Sequence, residues 1–420
     1  SASWVTTVKT STFTAVAGEG YFVNTTGGVV TVNLPAGTAG AVVAIKDYAG
    51  TFDTNAVTLV RNGSDKIGGQ ALNSVIGTEG IAITLVFIDS TQGWLVTDSG
   101  LQDEAPGPEF ITATGGTITT VCTNFKVHTF TGPGTFCVSN GGNAAGSNLV
   151  DYLVIAGGGG GAGHYGGGAG AGGYRESPGT ASGSYAVSPL GTSPAVSLPV
   201  PAQGYPIAVG AGGAGGAKVC GPTGCGTSGS NSTFSTIIST AGGGGGNGTS
   251  SAPQANASPG GSGGGGGSYG PNNAGTGGTG NSPAVTPAQG TNGGNGNRCA
   301  SSHTAGGGGG GATVAGQNAG GCGQGGPSYG SGGAGATSSI NATPTARAGG
   351  GGGSQNSTPT NPVGGAGGGG LGGSPGNTSA PTVQGTINTG GGAGGINGNN
   401  PIPAGGTGGS GIVIIRYRFQ

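Results

Sequence analysis

"VDYLVIAGGGGGAGHYGGGAGAGGYR", residues 150–175, runs from an apolar, strand-like segment straight into a field of glycine. The field is disordered filler, a phosphate-cradling loop or the wall of a folded object, and the choice governs everything that follows it. Glycine runs recur at 157–161, 166–168, 242–246, 260–267, 306–311, 349–353, 367–370 and 390–395, two of them interrupted by a single Ser or Ala. Between them lie excursions of Ser, Thr, Asn, Pro and Ala such as "SSAPQANASP" and "SQNSTPTNPV". A flexible linker has no reason to alternate between two textures so regularly.

Composition alone points to disorder, since 111 of 420 residues are Gly and 24 are Pro. Charge argues against it: disordered chains are usually highly charged, and this one has 11 Lys+Arg and 12 Asp+Glu. The C-terminus decides. "GGSGIVIIRYRFQ" (408–420) ends the chain on a β-strand whose run Ile412–Ile415 is as apolar as Tyr152–Ile155. A disordered tail has no use for such a strand, whereas two strands bracketing the glycine can pair and close it as one domain. Glycine lacks a β-carbon, so extended runs can approach one another closely along their length. In polyproline II geometry they rise ~3.1 Å per residue without internal hydrogen bonds. Their backbone groups then need partners on neighbouring runs, and mutual bonding has to offset the large entropy cost of ordering glycine. No strict G-X-Y period exists, which excludes collagen.

Glycine and charge divide the chain together. Only 22 of the 111 Gly precede residue 151, and only Asp151 and Glu176 are acidic after residue 150. Residues 1–100 read as a small β-domain: short runs rich in Val, Thr, Ile and Phe, separated by turns such as Pro35-Ala36-Gly37 and Arg61-Asn62-Gly63, at spacings that imply a sandwich or a barrel. "LQDEAPGPE" (101–109) reads as a linker. The fold expected is mainly β, an N-terminal β-sandwich followed over 110–420 by packed polyglycine or polyproline II helices closed by β-strands.

Net charge near zero gives no electrostatic footprint for nucleic acid, and the longest apolar stretches are far below the ~20 residues of a membrane-spanning helix. No signal peptide is visible and Met is absent even at position 1, as in a processed chain or part of a longer one. The six cysteines fall as Cys122/Cys137, Cys220/Cys225 and Cys299/Cys322, which suggests three local disulfides among fifteen pairings. Cys122 and Cys137 would face each other across the Thr131–Gly134 turn of a hairpin. No pair has zinc-knuckle spacing, and three scattered histidines make no metal site.

Further motifs carry a resemblance. "HTFTGPGTF" (128–136), "DYLVIAGGGGGAG" (151–163), "GAGAGGYRE" (168–176), "YPIAVGAGGAGG" (205–216), "NSTFSTIISTAGGGGG" (231–246) and "GGSGIVIIRYRF" (408–419) together resemble the glycine-rich domain of bacteriophage tail-fibre and virion structural proteins. The likeness spans roughly residues 110–420. Residues 3–98, with "TAVAGEGYFVNTTGGVVTVNLPA" and "FIDSTQGWLVT", resemble a small domain of structural proteins from phages of marine cyanobacteria. By texture, the glycine field is similar to the tip adhesins of T-even-like phages, whose packed polyglycine helices carry receptor-binding loops.

Catalytic signals are compositional. G-x-S-x-G occurs at Ser262, Ser268, Ser328 and Ser374, none at a strand-to-helix turn, and G-x-G-x-x-G occurs without its βαβ setting. Glycoside cleavage needs two flanking carboxylates, and the glycine-rich half holds only Asp151 and Glu176. No enzyme, cofactor or metal is expected. His128 reads as a packed structural residue. Tyr165, Tyr174, Tyr269 and Tyr329 either cap glycine runs or present binding faces. Chain reversal between antiparallel runs would gather alternate excursions at one end, with Tyr269, Arg298, His303, Tyr329 and Arg347 as candidates for a receptor-binding tip. The resemblance implies a virion fibre or adhesin subunit, homo-oligomeric with a trimer favoured. It would assemble with other virion proteins and bind a host-surface polysaccharide or outer-membrane protein, with no nucleic acid and no membrane insertion. The rivals are a capsid decoration, a self-assembling filament and, least, a depolymerase.

Overall fold

The computed structural model describes residues 1–101, 108–248, 255–269, 273–297, 304–320, 329–356, 360–375, 383–399 and 402–420. The chain divides into two compact units, Ser1–Gly107 and Pro108–Gln420. Most of the expected linker, residues 102–107, lies outside the described residues. The architecture is mainly β throughout.

The first unit is wound rather than meandering. Strands β1 (Ser3–Lys9), β3 (Glu19–Val23) and β5 (Val42–Asp47) lie parallel in one sheet. Strands β2 (Phe13–Thr14), β4 (Val30–Asn33) and β6 (Val57–Val60) lie parallel in a second. Each winding places one strand in each sheet, and residues at equal phase stack in columns, Val5–Tyr21–Ile45 on one side and Phe13–Val32–Leu59 on the other. Strands β7 (Ser74–Ile76), β8 (Ile81–Phe87) and β9 (Trp94–Leu101) then add antiparallel. Period-two alternation points Val30, Val32, Val57, Leu59, Ile83 and Leu85 into the shared core. Each such side chain contributes roughly 1.5–3 kcal/mol of burial. The two-layer sandwich is as expected from strand spacing; the parallel order is not, because spacing alone cannot distinguish a neighbour in the same sheet from one in the facing sheet. The bend after β5 is held by the buried Asp47 carboxylate, which accepts from the N–H groups of Gly50, Phe52 and Gly80 at 3.0, 3.2 and 2.9 Å.

The second unit starts from two sheets. Strands β10 (Ile111–Thr114), β11 (Thr117–Val121), β12 (Phe125–Phe130), β13 (Gly134–Gly141), β14 (Leu149–Ile155) and β15 (Tyr174–Glu176) come first. They are followed by β16 (Leu198–Pro199), β17 (Gly204–Ala208), β18 (Ser232–Phe234), β19 (Ile237–Ser239) and, after the glycine field, β24 (Ile412–Arg418). Two short hairpins lie between: β20 (Ser268–Tyr269) with β21 (Asn273–Ala274), and β22 (Ala336–Ser338) with β23 (Thr345–Arg347). One sheet runs β10-β13-β17-β18-β19; the other runs β11-β12-β24-β14-β15 with β16 on β14. The ingoing and outgoing apolar strands pair antiparallel from Asp151↔Arg416 to Ile155↔Ile412. Both are continuous apolar runs because both faces of their sheet are covered. One face packs Tyr152, Val154, Val413 and Ile415 against the other sheet, and the opposite face packs Leu153, Ile155, Ile412 and Ile414 toward Ala312, Ile340 and Ala348.

Strands β12 and β13 belong to different sheets, so the Thr131–Gly134 turn crosses between layers instead of closing a hairpin. The hairpin is β11–β12, with Cys122 in its turn at φ 47°. Cys137 lies in the other sheet opposite Thr114. No disulfide joins Cys122 to Cys137 or Cys220 to Cys225, which corrects both expected staples. Cys299 and Cys322 lie outside the described residues.

The glycine runs form a lattice whose hydrogen bonds repeat every third residue. In the run 156–163, Gly157, Gly160 and Gly163 donate to Ser230, Thr227 and Gly224. Gly158 and Gly161 donate to Gly409 and Gly406, and Gly159 and Ala162 donate to Gly170 and Gly167. The carbonyls behave alike: Gly157 and Gly160 accept from Gly242 and Gly245, Gly158 and Gly161 from Gly213 and Gly216, Gly159 and Ala162 from Ala393 and Ile396. Three directions of donation and three of acceptance give the run six flanking segments. The period is that of a threefold extended helix. Run 305–312 is surrounded in the same way, donating to segments around Ser354, Gly266 and Gln317 and accepting from those around Gly168, Gly294 and Gly333. The glycine is required by closeness and not by backbone angle. Gly160 has no positive φ, yet a β-carbon there would sit 1.9 Å from the Ala214 carbonyl oxygen.

Candidate binding end of the glycine-rich unit

The runs have two unlike ends. At the sheet end, Tyr174 N–H donates to Gln289 O, Gly173 to Thr240, Ala348 to Thr389 and Gly390 to Ser410. Here lie β18–β19, the β22–β23 hairpin and the turns at 281–289 and 312–315. At the opposite end, Gly163 donates to Gly224, Gly248 to His164, Ser268 to Tyr165, Gly330 to Gly306, Ser354 to Gly166 and Lys218 to Pro403. These bonds gather the chain near 164, 220, 248, 268, 297, 304, 330, 355, 374, 397 and 403 on one face of the unit.

Side-chain amides build this face. Asn247 Nδ2 donates to Val219 O and Gly221 O at 2.9 and 3.0 Å, holding the 217–224 reversal against a neighbouring run. Ser268 Oγ donates to Asn297 at 2.7 Å to its carbonyl and 2.9 Å to Oδ1, and Asn397 Nδ2 donates to Gln355 O at 2.7 Å. Asn247, Asn297 and Asn397 are all buried, each at the end of a glycine run. Their placement was readable in "GGGGGN", "GGNGN" and "GGIN", but sequence reading treats Asn here as ordinary loop polarity.

His164 and Tyr165 turn the chain between the first two runs, their rings 4.5 Å apart edge to face, with Tyr165 at φ 41°. Cys220 Sγ lies 3.5 Å from His164 Nδ1. Burial pushes the Cys225 thiol up, opposed by the Asn247 N–H. The described residues of this end include Lys218 and His164 and no carboxylate, since the sequence has no Asp or Glu beyond residue 176.

The expected tip residues separate. Tyr269, in β20, and Tyr329, beside Gly330, stand at this end. Arg298 and His303 lie outside the described residues, between Asn297 and Thr304, which also stand there. Arg347 does not: it is 6 % exposed, on β23 at the sheet end. The excursion 336–347 is a hairpin folded onto the sheet, so its arginine faces inward, where burial lowers its pKa and Tyr174 and Glu176 oppose that shift. Glu176 is buried beside it, accepting from Tyr174 Oη at 3.1 Å, from Ser188 N–H at 3.0 Å and from Ser338 Oγ, and burial raises its pKa. Tyr174 is thus a core residue, not a binding face. Asp151 is likewise interior, accepting from the hydroxyls of Ser177, Ser182 and Ser197. His128 is a packed residue: Nδ1–H donates to Gly115 O at 2.7 Å and Nε2 accepts from Tyr417 Oη at 3.1 Å.

Residues 131–418, the lattice with the strands from β13 to β24, match the glycine-rich domain family. The chain belongs to that family. Residues 2–101, the wound unit, match the N-terminal domain of bacteriophage T4 gp9/10-like proteins. With both matches this is a phage tail-fibre-like protein, a structural component of the virion that acts with other virion proteins. No curated protein matches the chain.

Proposed function

We propose that this glycine-rich protein is a non-enzymatic fibre or adhesin subunit, in which polyglycine II helices form a stiff body and the reversals opposite its sheets contact the host cell. The observation that carries the reading is the gathering of Tyr165, Tyr269 and Tyr329, and of the described run ends that border most excursions, at one end. The runs offer no side chains for recognition, so contact has to come from the turns. That end is uncharged but for Lys218 among the described residues, and rich in amides and hydroxyls. Such chemistry suits a surface polysaccharide or an uncharged loop of an outer-membrane protein. Weak contacts of this kind gain strength when several copies are tethered, which favours a homo-oligomer, a trimer first. The interior positions of Asp151 and Glu176 support a non-catalytic role, because neither flanks an open cleft.

The test is segment exchange. Residues 269–274 and 298–303 are replaced by those of a related phage, with the sheet-end hairpin 336–347 exchanged as control, and adsorption to each host is measured on virions. Host preference following the first exchange and not the second supports the reading. Adsorption unchanged by the first removes the receptor role from this end.

A further inference from the structure

A cavity of about 430 Å³ opens at the other end of the second unit, where β14 begins and β24 finishes. Its volume falls within the roughly 300–1,000 Å³ of small-ligand sites. Asn124, Phe125, Ser147, Asn148, Thr180 and Arg418 line it with several small residues, and no carboxylate does among the described residues. Among these, Ser147 is buried, Asn148 half-buried and Thr180 exposed, so the lining offers hydroxyl and amide groups at graded depth to whatever fills the space.

The apolar wall and the charge are both fixed in place. Gly183, at φ +82°, lets the Phe125 ring approach to where a β-carbon would be 2.1 Å away, and the Arg416 guanidinium covers that ring at 4.9 Å. Arg418 is oriented by its Nε bond to Gln420 O at 2.9 Å and by the Phe110 ring at 5.2 Å. An arginine so held keeps its terminal N–H groups as a planar fork, which matches a carboxylate or phosphate with two parallel bonds.

We propose that this cavity binds an anionic sugar unit, its acid group on Arg418, its ring hydroxyls on Ser147, Asn148 and Thr180, and its apolar face on Phe125. Arg418 is the charged group among the described lining residues and favours an anion, and a bare anion would leave the hydroxyl and amide groups unused. The site lies at the opposite end of the glycine runs from the reversals proposed for host contact and does not depend on that reading.

The test is calorimetric titration of the full chain with glucuronic acid, glucose 6-phosphate, glucose and acetate. Either anionic sugar should bind about tenfold or more tightly than glucose and acetate, the preference expected of a charged hydrogen-bond pair. The stronger of the two tells a carboxylate site from a phosphate site. Arg418→Gln should reduce the preference to within about twofold, Arg418→Lys should keep part of it, and Ala181→Trp should abolish sugar binding by filling the cavity. Melting temperatures matching the parent protein establish that each variant is folded. Equal binding of glucose and glucuronic acid, acetate binding as tightly as either acidic sugar, no binding by any sugar, or an unaffected Arg418→Gln would each overturn the proposal.

Discussion

Replacing Gly160 by alanine adds one methyl group at a point where six segments converge. The new carbon would lie 1.9 Å from the Ala214 carbonyl oxygen and 2.4 Å from its carbon, against an ordinary contact of at least 3.4 Å, so neighbours must part by about 1.5 Å. A β-carbon has no rotamer through which to escape. Displacement in any direction also stretches the bonds Gly160 makes, its N–H to Thr227 at 2.8 Å and its carbonyl from Gly245 at 3.0 Å. Overfilled cores cost ~1–3 kcal/mol and occasionally more, while the stiffer unfolded chain returns only ~0.4–1 kcal/mol. With backbone on all sides the cost falls at the upper end, about 2–2.5 kcal/mol net. In a cooperative unit of this length that lowers the melting temperature by roughly 3–4 °C, from the usual entropy per residue. Calorimetry of Gly160→Ala beside Gly132→Ala measures it, since a β-carbon at Gly132 meets nothing within 4 Å and φ there is not positive. The prediction is specific to position, because Ala162 in the same run is already fully buried. Melting temperatures within 1 °C of each other would refute the packing argument.

Backbone amides of 156–163 and 166–173 should exchange slowly with solvent despite their composition, because each run is buried and donates within the lattice; exchange in seconds by mass spectrometry would remove the folded lattice. Iodoacetamide should label Cys122, Cys137 and Cys220 without reductant, all three being exposed, and Cys225 more slowly because burial holds its thiol protonated; a Cys122–Cys137 bridge in a non-reducing peptide map would contradict the sheet assignment. Burial pushes the His128 imidazole below its ordinary 6.5. The unfolded chain therefore takes up the proton first, and stability should fall as pH drops through 6.5. The pH dependence of melting should weaken in that window in His128→Gln, and a His128 resonance titrating at 6.5 would refute the buried neutral ring.

The bracketing strands were legible because Tyr152–Ile155 and Ile412–Ile415 are apolar on both faces, which only a doubly covered strand requires. The lattice was legible for a different reason: regular alternation of texture has no use in a linker. Topology was not. Cys122 and Cys137 flank a turn with every local mark of a hairpin, and only long-range pairing of β12 with β24 draws β12 into the other sheet. Arg347 was misjudged by the same limit, since a polar excursion between glycine runs looks alike at either end of them, and the sheet beneath 336–347 lies far away in sequence. The cavity around Arg418 left no sequence signal, because its walls come from separate reversals.

A threefold screw with a different neighbour on each side gives the glycine field a phase, much as triplets do in a message. Inserting three residues within a run returns every later group to the neighbour it faced before. Inserting one or two turns everything downstream by about 120° or 240° onto the wrong partner. Length changes inside the runs are therefore constrained to multiples of three, while the excursions can lengthen by any number. The molecule keeps its frame in one part of the chain and leaves the other part free to vary.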